Sequence, residues 1–235
     1  MTSPSAEPLR LARGVAATGA LDGVIFDCDG VLVDSERISN GTWALLLTEI
    51  GLPMTMEQSL SIFMGNSMPR CVEIVTEMMG HAPPDDLLAR FTANVTVALQ
   101  RDLEPVDGIV ALLDTLDAAG IRYGVASNGE HEKMRTTLGK TGLLSRFDGK
   151  RFSAVDVGRP KPAPDLFLHA AHMLGFHPAR TVVVEDSPLG VQGAVAAGMT
   201  VIGYAEIVSA ARLHAAGASV TVERLDEVAA LLGVG

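Results

Sequence analysis

From Pro105 onward, segments with the pattern of β-strands alternate with segments with the pattern of amphipathic helices. The clearest strand is Thr181–Val184, an unbroken β-branched run typical of a strand buried on both faces. Between the strands, apolar residues recur every three or four positions, as in residues 109–116, which predicts helices. Strands and helices that alternate at this spacing predict an α/β fold, in which helices cover both faces of a parallel sheet.

Residues 36–104 differ from the rest of the chain, because they contain four helix patterns with no strand pattern between them. We expect them to form a helical unit inserted into the α/β domain, which would comprise residues 21–35 and 105–235. Residues 1–20 lack the apolar stretch of a signal peptide and are expected to be a short, flexible leader.

A short apolar strand, Val24–Phe26, is followed directly by two carboxylates, Asp27 and Asp29. Since side chains alternate along a strand, both carboxylates point to the same side. Two like charges this close disfavour ionisation, and a hard divalent cation such as Mg2+, which prefers oxygen ligands, would relieve the repulsion. A strand followed by an acidic loop is the simpler interpretation, and it would be the better one for an isolated Asp-x-Asp pattern.

Other polar residues follow further predicted strands or lie in a proline-rich loop. In an open parallel sheet, reactive residues collect at the carboxyl ends of the strands, so we expect these side chains to lie together. Each has a structural explanation when taken alone, as a turn, a helix cap or a surface charge. Their common location favours a single site with carboxylates for a metal and donors for an anion. These residues are Ser127, Asn128, Lys161, Glu185 and Asp186.

The formal net charge of −10 argues against nucleic-acid and membrane-surface partners, because both would require a basic patch. A phosphate site would therefore need its own positive charge, which Lys161 supplies. The two cysteines, Cys28 and Cys71, show neither a disulfide framework nor metal-ligand spacing, which fits a reducing cytoplasm. No apolar stretch is long enough to span a bilayer.

Four segments of the chain resemble, in the right order, the motifs of the haloacid dehalogenase-like superfamily of phosphohydrolases. The likeness covers roughly residues 21–232. It implies a Rossmann-like core and, in this branch of the family, a helical cap inserted after the first motif, which residues 36–104 fit. The matching segments are Asp27-Cys28-Asp29-Gly30-Val31-Leu32, Ser127-Asn128, Lys161 and Glu185-Asp186-Ser187.

The resemblance implies a catalytic role for the residues of the first three motifs. Asp27 would attack the phosphorus and become an aspartyl-phosphate. Asp29 would protonate the leaving alkoxide and later deprotonate the water that hydrolyses the intermediate. The phosphoryl oxygens would be held by Ser127, Asn128 and Lys161.

The cofactor that the resemblance implies is Mg2+. Its ligands would be the Asp27 carboxylate, the main-chain carbonyl of Asp29, and Asp186. Glu185 would bind the ion directly or through a water molecule. The same ion would relieve the repulsion among the clustered carboxylates.

Three functions are compatible with this pattern. Bacterial β-phosphoglucomutases resemble the chain, but they typically carry a His shortly after the first motif and an Arg in the first cap loop. Here those positions hold Ser39 and Met68, although Arg70 lies nearby. The departure favours a phosphatase that hydrolyses a small phosphorylated sugar or sugar acid. We expect the protein to be a monomer or a weak dimer. The third alternative, a non-catalytic binding module on this fold, would be expected to lack the nucleophile, the acid or the lysine.

Around the second motif, the chain is similar to bacterial 6-phosphogluconate phosphatases, which favours a substrate of that kind. The matching residues are Ser127-Asn128-Gly129, Lys133-Met134, Gly139-Lys140 and Leu143-Leu144. Specificity should come from the helical cap. The candidates for substrate contact are Trp43, Met64, Asn66 and Arg70. Packing in the core of the cap would explain Trp43 and Met64 at least as well as substrate contact does. Arg70 could be a cation on the surface.

Overall fold

The computed structural model describes residues 21–64, 66 and 68–234, so the expected leader at 1–20 lies outside the described residues. Six strands form one sheet within them: β1 (Gly23–Phe26), β2 (Tyr123–Ser127), β3 (Arg151–Ser153), β4 (Thr181–Glu185), β5 (Thr200–Tyr204) and β6 (Val220–Val222). All paired strands are parallel, and their order is β3-β2-β1-β4-β5-β6. This order is that of a Rossmann-like fold, and the predicted α/β class is confirmed.

Helices connect the strands and also fill the segment between β1 and β2. The helices of that segment are α1 (Ser35–Glu49), α2 (Met56–Phe63), α3 (Met68–Met79), α4 (Leu87–Asp102) and α5 (Ile109–Ala118). Those of the remaining chain are α6 (His131–Lys140), α7 (Asp165–Leu174), α8 (Pro188–Ala196), α9 (Ala210–Ala216) and α10 (Asp226–Leu231). Short 3-10 turns occur at Leu144–Phe147, Ala154–Asp156 and Pro178–Arg180.

The ends of two helices follow from local chemistry. Ser187 caps α8, since its hydroxyl accepts a hydrogen bond from the Gly190 amide at 3.0 Å, and Pro188 occupies the first helical position. Helix α7 ends at Gly175, whose φ of 69° is readily adopted by glycine. Pro164 is the N-cap of α7, one residue before the helix begins.

The chain divides into two compact units. Within the described residues, one comprises 21–33 and 105–234 and contains the sheet; the other is Asp34–Glu104 and contains α1 to α4. The central strands β1, β2 and β4 are buried along their whole length, which explains their apolar sequences. None of the helices in the described ranges has the length and apolar character needed to cross a membrane.

The second unit has its own apolar core. At its centre the Trp43 ring stacks on Phe91, with ring centroids 4.5 Å apart, and on Phe63 at 5.8 Å. Such offset aromatic contacts add to the gain from burying large rings. The other buried members of this core are Leu46, Leu47, Cys71, Val75 and Leu87.

Candidate active site

The three central strands end at the same edge of the sheet. Phe26 on β1 is in register with Val125 on β2 and with Val184 on β4. The residues that follow these positions therefore emerge together, beside the point where the strand order changes direction. Six of the predicted site residues lie at these strand ends or follow them directly: Asp27, Asp29, Ser127, Asn128, Glu185 and Asp186. The seventh, Lys161, contacts Asp27 and Asn128 from a separate loop.

Lys161 joins two of the predicted carboxylates. Its Nζ donates hydrogen bonds to Asp27 Oδ1, to Glu185 Oε1 at 2.7 Å, and to the Ala126 carbonyl at 2.9 Å, so all three ammonium hydrogens have acceptors. The lysine is only 5% exposed. Burial alone would lower the pKa of Lys161, but Asp27 and Glu185 outweigh burial and raise it. The lysine is therefore a fixed positive charge inside the site.

The loop that carries Lys161 is fastened to the end of β2. The Lys161 amide donates to Asn128 Oδ1 at 2.8 Å, and the Gly129 amide donates to Ser127 Oγ at 2.9 Å. The second motif thus positions the third, in addition to any contact that it makes with a ligand.

Asp27 is a buried carboxyl group in a strongly charged environment. Burial raises its pKa, Lys161 opposes that rise, and Glu185 and Asp29 add to it, giving a pKa of about 7. Without a further cation, the group is therefore only partly ionised near neutral pH. Perturbed carboxyl groups of this kind occur most often at functional sites.

Glu185 organises its neighbours. Its Oε1 accepts from Lys161, and its Oε2 accepts from the amide of Ser187 at 3.0 Å and from the hydroxyl at 2.9 Å. A Cβ on Gly190 would lie 1.7 Å from Oε1, so glycine is required where α8 passes the carboxylate. These contacts favour the water-mediated role over direct metal ligation for Glu185. Asp186, the next residue, is 5% exposed.

Asp29 forms an ion pair that the sequence analysis did not anticipate. Lys133 Nζ lies 2.9 Å from Asp29 Oδ2. Lys133 lies in the first turn of α6, six residues after Ser127. A cation is unfavourable at this end of a helix, so its presence there indicates a partner outside the helix.

The donor set suits a hard divalent cation. The residues at this edge of the sheet include four carboxylates and two ammonium groups, so negative charges exceed positive charges by two when all are ionised. The carboxylates are Asp27, Asp29, Glu185 and Asp186, and the ammonium groups are those of Lys133 and Lys161. In the described ranges no group of three or more His, Cys, Asp or Glu residues is arranged to hold a metal. Mg2+ commonly binds through one or two carboxylates together with waters and phosphate oxygens, so it does not need such a group.

The structure places Trp43 in the core of the helical unit, where it is 2% exposed. Its stacking on Phe91 and Phe63 favours the packing role over substrate contact. A role for Trp43 in specificity would then act through the shape of the helical unit and not through direct contact.

The other cap candidates lie near the surface of the helical unit or at its edge. Met64 is half-buried at the end of α2, and Asn66 is exposed, with its amide donating to a main-chain carbonyl one turn earlier at 3.0 Å. Arg70 pairs with Glu73 at 2.8 Å and with Glu77 at 3.2 Å on the same helix. Substrate contact by these three residues stays a prediction.

The sequence comparison agrees with this geometry. Residues 24–204, well over half of the chain, match the family model described as haloacid dehalogenase-like hydrolase. The chain belongs to the haloacid dehalogenase-like hydrolases. It is 33% identical over 182 residues to the 6-phosphogluconate phosphatase of Escherichia coli (strain K12), a match that covers 77% of this chain and 81% of that protein.

Two solved structures are similar to this hydrolase. A conserved haloacid dehalogenase-like protein from Agrobacterium tumefaciens matches with a TM-score of 0.85 and 37% identity, over 91% of this chain and 98% of that one. A haloacid dehalogenase family hydrolase from Deinococcus radiodurans, crystallised with bound phosphate and sodium, matches with a TM-score of 0.80 and 32% identity, over 91% and 95%. The chain is thus a phosphoric monoester hydrolase, which removes support from the binding-module alternative.

Proposed function

We propose that this hydrolase is a Mg2+-dependent phosphatase that acts on a small phosphorylated sugar or sugar acid through an aspartyl-phosphate on Asp27. The buried contact between Lys161 and Asp27 is the observation that supports it most. A phosphoryl group at this edge of the sheet would meet a carboxylate for attack and an ammonium group for its negative charge. The product would be inorganic phosphate.

In the first half-reaction, a carboxylate oxygen of Asp27 forms a bond to phosphorus while the bond from phosphorus to the sugar oxygen breaks. Asp29 gives its proton to that oxygen, because an alkoxide is a poor leaving group and general acid help is worth about a hundredfold or more. The charge on the phosphoryl oxygens is stabilised by Ser127, Asn128 and Lys161. The alcohol leaves, and Asp27 remains phosphorylated.

In the second half-reaction, the Asp29 carboxylate takes a proton from a water molecule, whose oxygen forms the new bond to phosphorus. The bond between phosphorus and the Asp27 oxygen breaks, which restores the Asp27 carboxylate and releases phosphate. Asp29 thereby regains the proton that it gave to the leaving oxygen. Lys161 remains beside Asp27 throughout, and its positive charge stabilises the ionised carboxylate when it forms again.

The Asp27 carboxylate, the main-chain carbonyl of Asp29, and Asp186 would hold Mg2+. When bound, the ion neutralises the clustered carboxylates and withdraws charge from the phosphoryl oxygens. Glu185 acts indirectly in this proposal, because both of its oxygens already accept hydrogen bonds from protein groups.

Metal removal should abolish turnover. We expect EDTA to lower phosphate release from p-nitrophenyl phosphate by at least about a hundredfold, because the phosphoryl oxygens and the clustered carboxylates would then lack the cation that neutralises them. Excess Mg2+ should restore the rate. Ca2+, which prefers more ligands at longer distances, should bind without restoring it. A Mg2+-dependent rise in the melting temperature would report binding separately from turnover. Full activity after exhaustive chelation would refute the metal assignment.

A phosphorylated sugar acid is the favoured substrate. The Escherichia coli relative is named for 6-phosphogluconate, and the chain resembles such phosphatases around its second motif. The net charge of −10 supports a small-molecule substrate and not a nucleic acid or an anionic membrane surface. Both cysteines are unpaired by disulfides, which supports location in the cytoplasm.

The alternative is a phosphosugar mutase of the β-phosphoglucomutase type. A mutase must bind a second, distal phosphate, and a bidentate Arg suits phosphate geometry best. Met68 and Ser39 occupy the positions expected for the mutase Arg and His. The nearby Arg70 shares its charge with Glu73 and Glu77. These features favour transfer of the phosphoryl group to water.

Phosphate release should therefore exceed isomerisation. We expect a screen of phosphorylated sugars, sugar acids and glycolytic intermediates to give inorganic phosphate, with 6-phosphogluconate among the best substrates. Incubation with β-glucose 1-phosphate and its bisphosphate activator should give no glucose 6-phosphate above background. If glucose 6-phosphate formed faster than phosphate was released, Arg70 would be the distal-phosphate residue and the mutase function would replace the phosphatase.

A further inference from the structure

Lys133 contacts the proposed general acid but has no role in the mechanism above. Its Nζ lies 2.9 Å from Asp29 Oδ2; the Asp29 side chain is 16% exposed, and that of Lys133 is 45% exposed. We infer that Lys133 is a positioning residue that holds the Asp29 carboxyl group beside Ser127, one of the residues proposed to bind the phosphoryl group. The inference rests on the proposed function, in which Asp29 transfers the proton.

The backbone at Gly129 lies against this contact. A Cβ at that position would lie 3.2 Å from Ser127 Oγ, 3.4 Å from Lys133 Cδ and 3.7 Å from Asp29 Oδ2. The lysine stem, the carboxyl group and the hydroxyl therefore border the same small space, which a side chain would fill. Asp29 is thus held next to Ser127, one of the residues proposed to bind the phosphoryl group.

Helix stability does not explain Lys133. Helix α6 begins at His131, so the lysine lies in its first turn, where the helix dipole disfavours cations. Glu132, in the same turn, matches the dipole and pairs with Arg135. Lys133 instead directs its charge to Asp29, a partner outside the helix.

A fixed carboxyl group matters because proton transfer depends on geometry. An unanchored Asp side chain distributes among staggered rotamers, and a displacement of about 1 Å in a reacting group can cost about a hundredfold in rate. The ammonium group donates to Oδ2 whether Asp29 is ionised or protonated. The geometry therefore assigns both proton transfers to the other oxygen, Oδ1.

Two substrates with the same ring and no second anionic group test this role. p-Nitrophenyl phosphate releases a stabilised phenolate and gains little from an acid, whereas p-nitrobenzyl phosphate releases an alkoxide and depends on one. We expect Lys133→Met to lower kcat/KM for the benzyl ester about tenfold or more, and for the phenyl ester by less than about twofold. The ratio of the two decreases in kcat/KM, benzyl ester over phenyl ester, reports on the first half-reaction, in which Asp29 donates its proton.

Three further variants calibrate the result. Lys133→Arg keeps a cation and should recover kcat/KM for the benzyl ester to within about threefold. Lys140→Met removes an exposed lysine from the end of the same helix and should change neither ester. Asp29→Asn removes the acid and should show the same selective loss in larger measure, about a hundredfold. Melting temperatures should confirm that all of these variants are folded.

Specific results would overturn the inference. Equal losses on both esters in Lys133→Met would mean a general structural role. A loss on 6-phosphogluconate alone, with neither ester affected, would mean that Lys133 binds the second anionic group of the substrate. Both results would leave the proposed function intact as long as Asp29→Asn is selective for the benzyl ester. If Asp29→Asn showed no such selectivity, the general-acid role itself would fail, and this inference with it.

Discussion

Asp27→Asn should abolish turnover and leave the fold intact. The amide cannot attack phosphorus, so no covalent intermediate forms, and loss of a nucleophile typically costs several orders of magnitude. We expect kcat for p-nitrophenyl phosphate to fall by at least about 10⁴-fold. The variant should remain folded, because the new side-chain amide still offers an oxygen to Lys161 at the position of Oδ1.

A matched control distinguishes loss of the nucleophile from the general effect of replacing an aspartate by asparagine. Asp148→Asn removes an 89%-exposed carboxylate that precedes β3, at the amino end of the sheet, and should retain full activity. Mass spectrometry of wild-type enzyme quenched during turnover should detect a phosphorylated peptide containing Asp27, absent from Asp27→Asn. Turnover by clean Asp27→Asn protein at more than a trace of the wild-type rate would refute the assignment.

The sequence predicted the sheet well because its strands are short, apolar and buried on both faces. Such runs, as in Thr181–Glu185, have few alternative structures when turn residues flank them. The weaker signals were strand and helix ends. Strand β2, for example, comprises Tyr123–Ser127, and its ends are set by pairing with β1 and β3 and not by local pattern.

The shared location of the motif residues was also predictable, because topology alone brings the carboxyl ends of parallel strands together. The roles of individual side chains were not. The sequence left open whether Glu185 would bind the metal directly or through a water molecule. Its hydrogen bonds with Lys161 and Ser187, which bear on that choice, are visible only in the structure.

Helical periodicity could not separate the core of the helical unit from a substrate surface. Trp43 fits an apolar face in either case, and only its stacking on Phe91 shows which neighbours it has. For Lys133 the local pattern shows only a cation at an unfavourable place in the first turn of a helix. Its partner Asp29 could not be predicted, because the two residues are about a hundred positions apart in the sequence.

Lys161→Met should reduce both stability and activity. The substitution leaves the buried Asp27 and Glu185 carboxylates without their shared ammonium group. Removal of one partner from a buried ion pair typically costs about 3–5 kcal/mol, since the remaining charge stays desolvated. Loss of a group that stabilises transition-state charge should lower kcat about 10²–10³-fold. Chemical denaturation and steady-state kinetics measure the two effects, and exposed Lys140→Met should change neither.

The double variant Asp27→Asn/Lys161→Met tests how much of the loss of stability comes from the ion pair between Lys161 and Asp27. With a neutral amide in place of the Asp27 carboxylate, removal of the ammonium group leaves one unpaired buried carboxylate, Glu185, where the single variant leaves two. We therefore expect Lys161→Met to cost less in the Asp27→Asn background, with a coupling energy above about 1 kcal/mol. An equal cost in both backgrounds would mean that Lys161 stabilises the fold through its pair with Glu185, its methylene packing and its contact with the Phe167 ring, and not through Asp27.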